Sequence, residues 1–195
     1  TYIGVGAFNN CRSLESVTFS GTNGPVTTAA RAFKGCNSLK KVESTSTKWQ
    51  YIQDEAFMDC TSLETFKVAS TIECVGERAF MNCVALREIN SEMFTYSYTY
   101  YHSNNNIKES TFENCRSLKQ IVISGTVRNI DRNAFKGCTS ITGIEIPGVI
   151  EGIAYGAFDG WTSAQTISLK RSGPGSRYVG GWDSGCNAKI IFKED

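Results

Sequence analysis

The residues most able to carry chemistry are eight cysteines, at positions 11, 36, 60, 74, 83, 115, 138 and 186, and a single histidine, His102. Cysteine and histidine together suggest zinc, and cysteine alone suggests redox or nucleophilic chemistry. No Cys-x-x-Cys pair occurs, so a zinc site of the usual spacing is absent. His102 has no evident nucleophile and carboxylate with which to form a triad. Gly4-Val5-Gly6 lacks the third glycine and the preceding strand of a dinucleotide fingerprint. Neither a phosphate-binding loop nor a Gly-x-Ser-x-Gly elbow occurs. Asp54, Glu55 and Asp131 are scattered acids placed where they can favour a helix N-terminus. A glycosidase needs two carboxylates across a cleft, and nothing in the pattern pairs them. We therefore expect no catalysis, no metal and no cofactor.

Binding chemistry is better represented. Four of the eight tyrosines, Tyr96, Tyr98, Tyr100 and Tyr101, fall within six residues, followed by Ser103-Asn104-Asn105-Asn106. Tyr, Ser and Asn build adaptable binding loops, and tyrosine gives large contact area at small entropic cost. Thr95 to Tyr101 also alternates like a strand, so a small rim hairpin with Asn104-Asn105-Asn106 as its exit turn fits the same residues. Such a hairpin could itself display the tyrosines.

The cysteines also mark the elements that must hold these residues in place. Aligning the Ala-Phe dipeptides gives one unit: Ala7-Phe8-x-x-Cys11-x-x-Leu14-x-x-Val17-x-Phe19. It returns at Phe33, Phe57, Phe80, Phe112, Phe135 and Phe158, with Trp161 in the cysteine position of the seventh copy. From one Cys (or Trp161) to the next there are 25, 24, 23, 32, 23 and 23 residues. A period near 23 lies in the leucine-rich-repeat range. Phe, Cys and Leu at i, i+3 and i+6 predict one apolar side of a short helical turn. The change to spacing two, as in Val17 and Phe19 or Ile144 and Ile146, predicts a strand with one face buried. One unit cannot bury these residues alone, whereas stacked units can, with their strands in one long parallel sheet. The repeated Cys position, which also accepts Trp161, is then a core position of reduced thiols. Cys74 and Cys186 fall off the pattern.

The unit Ile-x-x-x-Ala-Phe-x-x-Cys-x-x-Leu-x-x-Ile-x-Ile-Pro, completed by Ile146-Pro147, resembles the BspA-like (Treponema pallidum-type) leucine-rich repeats from Ile3 to Leu169. The resemblance implies an α/β repeat solenoid: a right-handed coil with a parallel concave β-sheet and short helical turns on the convex side. Residues 1–169 would form seven repeats and 170–195 a closing coil. It further implies a surface-exposed or secreted, extracellular protein that adheres to host-matrix or other cell-surface proteins. Reduced cysteines are unusual in such surroundings.

On that frame the outward strand residues are Ser16 and Thr18, Lys41 and Glu43, Thr65 and Lys67, and Glu88 and Asn90. The later copies add Gln120 and Val122, Gly143 and Glu145, and Thr166 and Ser168. Lys41, Glu43, Thr65, Lys67, Glu88 and Asn90, with the four tyrosines, form the expected partner surface. Glu15, Lys40, Glu64 and Arg87 should alternate in sign along the stack, and Glu43 should face Lys67. The fourth interval is nine residues longer than the period, so the insertion falls between Asn90 and Ile107. A carbohydrate partner could use the tyrosine loop, or Tyr178 and Trp182. A passive spacer is the third reading. We expect the native chain to continue before Thr1 with further repeats or another domain, or a partner to cover that end, because the first coil has no polar cap. Lys189 to Lys193 should close the other end with Ile190 and Phe192 inward.

The 20 basic residues nearly cancel the 19 acidic ones. That argues against nucleic acid as a partner and against docking on anionic membranes. Apolar runs such as Ile190-Ile191-Phe192 are too short to span a bilayer.

Overall fold

The structure is a computed structural model that describes residues 1–20, 24–45, 49–69, 71–95, 106–147, 150–170 and 185–193. The chain winds through about seven coils, and every strand ladder among the described residues is parallel. One flank carries β2 (Ser16–Phe19), β4 (Lys41–Ser44), β6 (Thr65–Val68), β8 (Glu88–Met93), β10 (Gln120–Ile123), β12 (Gly143–Ile146), β14 (Thr166–Lys170) and β15 (Lys189–Lys193). A second flank carries β1 (Tyr2–Ile3), β3 (Val26–Thr28), β5 (Trp49–Ile52), β7 (Ile72–Val75), β9 (Asn106–Ile107), β11 (Asn129–Ile130) and β13 (Gly152–Ile153). Each strand of the second flank carries one repeating core residue (Ile3, Thr28, Ile52, Val75, Ile107, Ile130 or Ile153), all of them buried. The sequence shows that residue and little else of the strand.

The segment between the flanks is not helical, which corrects the expected α/β architecture. It is a run of turns, and two residues in every coil have left-handed backbone. One set is Gly6, Arg31, Glu55, Arg78, Ser110, Asn133 and Gly156. The other is Asn10, Gly35, Asp59, Asn82, Asn114, Gly137 and Gly160. Left-handed residues reverse the peptide direction, so the N–H groups alternate. In the second coil Ala32, Lys34 and Cys36 donate three residues back, to Ala29, Arg31 and Phe33. Arg31, Phe33 and Gly35 donate instead to Asp54, Ala56 and Met58 of the next coil, at 3.0, 2.8 and 2.8 Å. A helix would turn every N–H onto its own chain. Here half of them bind one coil to the next. The i, i+3, i+6 apolar spacing is the same in both cases.

The first flank is also not one continuous sheet. β2, β4, β6, β8 and β10 are joined, while β12, β14 and β15 form a separate three-stranded sheet. Similarly β1, β3, β5 and β7 are separate from β9, β11 and β13. β8 runs past the expected start of the insertion: Met93 pairs with both Ile72 and Ile123, and Phe94 is buried.

Inside the coil the seven phenylalanines stack in one column, with neighbouring rings 5.1–5.7 Å apart and within 13° of parallel. Beside them each thiol donates to the phenylalanine carbonyl of the preceding coil: Cys36 to Phe8, Cys60 to Phe33, Cys83 to Phe57, Cys115 to Phe80 and Cys138 to Phe112, at 3.0–3.2 Å. Trp161 keeps the bond, its indole Nε1 donating to the Phe135 carbonyl at 3.0 Å. The position therefore requires a donor as well as an apolar body. Cys11, in the first described coil, is exposed, whereas the other five periodic cysteines are buried. In the last coil Ala164 is exposed instead of filling the leucine position. Gln165 is buried there, its amide donating to the carbonyls of Cys138 and Ile141. β15 covers β14 as expected, but Phe192 is half exposed.

Candidate interaction surface

The parallel register of the first flank lines up its outward side chains in columns. Ser16, Lys41, Thr65, Glu88 and Gln120 are successive register partners. Thr18, Glu43 and Lys67 form a second column beside them. The strand period thus brings five of the expected contact residues, Lys41, Glu43, Thr65, Lys67 and Glu88, onto one face. Asn90 lies in β8, beyond the end of its ladder with β6, which stops at Ile89. Tyr96, Tyr98, Tyr100 and Tyr101 lie outside the described residues, as do His102, Tyr178 and Trp182.

The electrostatics of this face are local. Lys40 meets Glu15 at 3.2 Å and Arg87 meets Glu64 at 3.7 Å, as the alternation of sign predicts. Glu43 stands opposite Lys67 in the register, but its carboxylate pairs with Lys41 of its own strand at 2.9 Å. These groups are exposed, apart from the half-exposed Glu43, so each pair is worth at most about 1 kcal/mol. Val122 is 56% exposed and extends the face onto β10.

On the turn side, Lys34 bonds Glu55 at 2.6 Å and holds its carboxyl below the usual carboxylate range. Arg78 bonds Glu109 at 2.8 Å. Burial raises Asp131, with Lys108 and the Asn106 amide opposing it. Burial also raises the thiols of Cys36, Cys60, Cys74, Cys83, Cys115 and Cys138. A thiol raised in this way is a protonated donor and a poor nucleophile. Among the described residues no group of three His, Cys, Asp or Glu could hold a metal, and no helix is long and apolar enough to cross a membrane.

Sequence reading missed a second outward column, Tyr2, Thr27, Tyr51 and Cys74, on β1, β3, β5 and β7. The only signal was that each precedes one of the repeating core residues, Ile3, Thr28, Ile52 and Val75.

With the surfaces placed, comparison with known proteins gives the following. The family described as BspA type leucine rich repeat region matches residues 1–105 and 91–173, in six copies. Among solved structures, the chain is similar to a leucine-rich repeat protein from Bacteroides ovatus, at 15% identity and a TM-score of 0.40, over 100% of this chain. It spans 66% of that protein's length. No curated protein matches.

Proposed function

The chain belongs to the BspA type leucine-rich repeat family, and from that premise we propose that it is a protein-interaction module of a cell-surface or secreted protein. The observation that carries this reading is the register on the first flank. It sets Lys41, Thr65 and Glu88 side by side, with Glu43 beside Lys67, on an outward face whose opposite side already fills the core. These side chains add little to the stack and are free in number and chemistry to vary, which suits a contact surface built on a regular scaffold. We propose Asn90 and the tyrosines Tyr96, Tyr98, Tyr100 and Tyr101 as further contact residues, since insertions in solenoids supply binding loops. The partner is an extracellular protein, of the host matrix or of another cell, and the role is adhesion. Solenoids of this kind are typically non-enzymatic, and we assign no catalysis.

A screen of the domain against extracellular-matrix proteins and a glycan array tests the reading. It is paired with a variant carrying Tyr96, Tyr98, Tyr100 and Tyr101 changed to Ser, and with Lys41→Ala/Lys67→Ala. Protein binding that is lost in either variant, with the fold intact by circular dichroism, supports the proposed face. Binding confined to glycans and abolished by the tyrosine changes would replace it with carbohydrate recognition. Retention of binding in both variants would move the site elsewhere, and no binding at all would leave a spacer.

A further inference from the structure

The two flanks of the solenoid break at different places, one coil apart. On the first flank the ladder stops between β10 and β12. Just before the strand Lys40, Glu64, Arg87 and Lys119 donate to Glu15, Lys40, Glu64 and Arg87, and in the last coil Thr166, the first residue of β14, donates to Thr142. Among the described residues no equivalent bond runs from Thr142 to Lys119, and no backbone pair joins β10 to β12. On the second flank the ladder stops between β7 and β9. Gly76 donates to Ile52 and Asp131 to Ile107, but no such bond joins Lys108 to Val75.

Each break has a chemical cause in the residues beside it. At the end of the first-flank strand, Ala69 and Ser124 donate to Ser44 and Met93 of the preceding coil. The same position in the sixth coil is Pro147, which has no N–H to give. β12 also begins with Gly143, a weak strand former. On the other side β10 is displaced, because Gln120 and Val122 pair with Glu88 and Glu92 across a bulge in β8. On the second flank the break coincides with the insertion after Phe94, a buried residue held at φ +64°.

The turn side is continuous through both breaks. Arg78, Phe80 and Asn82 donate to Glu109, Thr111 and Glu113, and Ser110, Phe112 and Asn114 donate to Arg132, Ala134 and Lys136. The Phe80–Phe112 and Phe112–Phe135 stacks and the Cys115 and Cys138 thiol bonds span the same junctions. The fifth coil is thus fastened to the fourth by the first flank and to the sixth by the second flank, with the turn side as a common spine.

We infer that the fifth coil is a hinge plate, and that the sixth and seventh coils with β15 swing about the spine by opening and closing the β10/β12 seam. The seam runs through the outward first-flank face, between Val122 and Gly143, so this motion changes the curvature of that face. The inference stands on the hydrogen-bond pattern alone and does not require the proposed binding role.

Spin-label distance measurements test it, in a background with Cys11, Cys74 and Cys186 changed to Ser. One labelled pair, Ser16→Cys with Thr166→Cys, straddles the seam. The control pair, Ser16→Cys with Gln120→Cys, lies on one side of it. The straddling pair should give a distance distribution roughly twofold or more broader than the control, or two populations, as slow collective hinge motions do. Adding Pro147→Ala, which restores the missing donor, should narrow it. Equal widths in the two pairs would overturn the hinge. A width that Pro147→Ala leaves unchanged would overturn the assignment of the seam to that proline.

Discussion

The turn side and the strand flanks of this solenoid answer the same demand differently. Both must bind each coil to the next. The flanks do it with ordinary parallel ladders, and both flanks tolerate a complete break. The turn side does it with alternate backbone donors, one stacked ring per coil and, from the second coil on, one thiol or indole donor per coil, and it joins the first coil through to the seventh. A ladder depends on strand alignment over several residues, so a bulge or a proline defeats it. The turn side uses separate fasteners at fixed positions, each set by one residue type, and survives changes of loop length on either side.

That contrast can be tested by substitution, beginning with the largest effect. Phe112→Ala removes a fully buried ring stacked on both Phe80 and Phe135 at the two junctions where a flank is broken. It should cost about 3–5 kcal/mol in denaturant unfolding. Ile121→Ala, on the half-buried β10 strand of the seam, should cost well under half as much. Equal costs would mean that the flanks carry the stack as strongly as the spine.

Alkaline pH attacks chiefly the spine, where four of the raised thiols are fully buried. Burial raises Cys60, Cys83, Cys115 and Cys138 above the ordinary thiol value of 9.0. Their contribution is therefore complete below that value. Above it the unfolded chain releases protons that the folded chain retains, and stability falls as pH rises. Each thiol can contribute a slope of up to about 1.4 kcal/mol per pH unit in that window. Urea titrations at pH 8, 9 and 10 should show a steep decline, and a flat profile would show that the thiols ionise without unfolding.

Gly76→Ala tests the close contact between coils. A Cβ there would lie 2.5 Å from the Asp54 backbone nitrogen and 2.7 Å from the Gln53 carbonyl carbon. The expected cost is about 1–3 kcal/mol by thermal unfolding. Cys83→Val keeps the bulk at its position but removes the donor to Phe57, and should cost about 1 kcal/mol. Cys83→Ser, which keeps a donor, should recover part of that loss if the bond matters. Thr28→Val has the opposite sign. Thr28 is buried between Ile3 and Ile52 in the register, and its hydroxyl has no partner. Its replacement should stabilise the chain by about 1 kcal/mol, read as a higher urea midpoint.

Much of this architecture can be read from the chain. The Phe8 to Phe158 period determines the number of coils, and the alternation in Val17-Thr18-Phe19 or Ile144-Glu145-Ile146 determines which side chains share the outward face. The adjacency of Lys41, Thr65 and Glu88 follows directly. The turn geometry was harder, because i, i+3, i+6 spacing buries the same residues in a helix and in successive turns. A subtler signal was present: the position before each of the six periodic cysteines is filled only by Asn, Gly or Asp, residues that tolerate left-handed backbone. Arg31, Glu55 and Arg78 hide the companion position, since long charged side chains rarely mark such a site. The second flank was obscured by its short strands, most of which show one apolar residue in two or three. The breaks were invisible because they depend on bonds that are not formed.

The thiol-to-carbonyl bond also explains how a cysteine-rich chain can remain free of cross-links where oxidants are present. Disulfide exchange proceeds through the thiolate, and its rate follows the thiolate fraction and access. Burial together with the held proton keeps that fraction minute for Cys60, Cys83, Cys115 and Cys138, and also orients each sulfur toward oxygen rather than toward the next sulfur. The column is therefore kinetically inert. Reagents that alkylate thiols should enter first at exposed Cys11, then at the half-buried Cys74 and Cys186, and at the column only after the coil has opened.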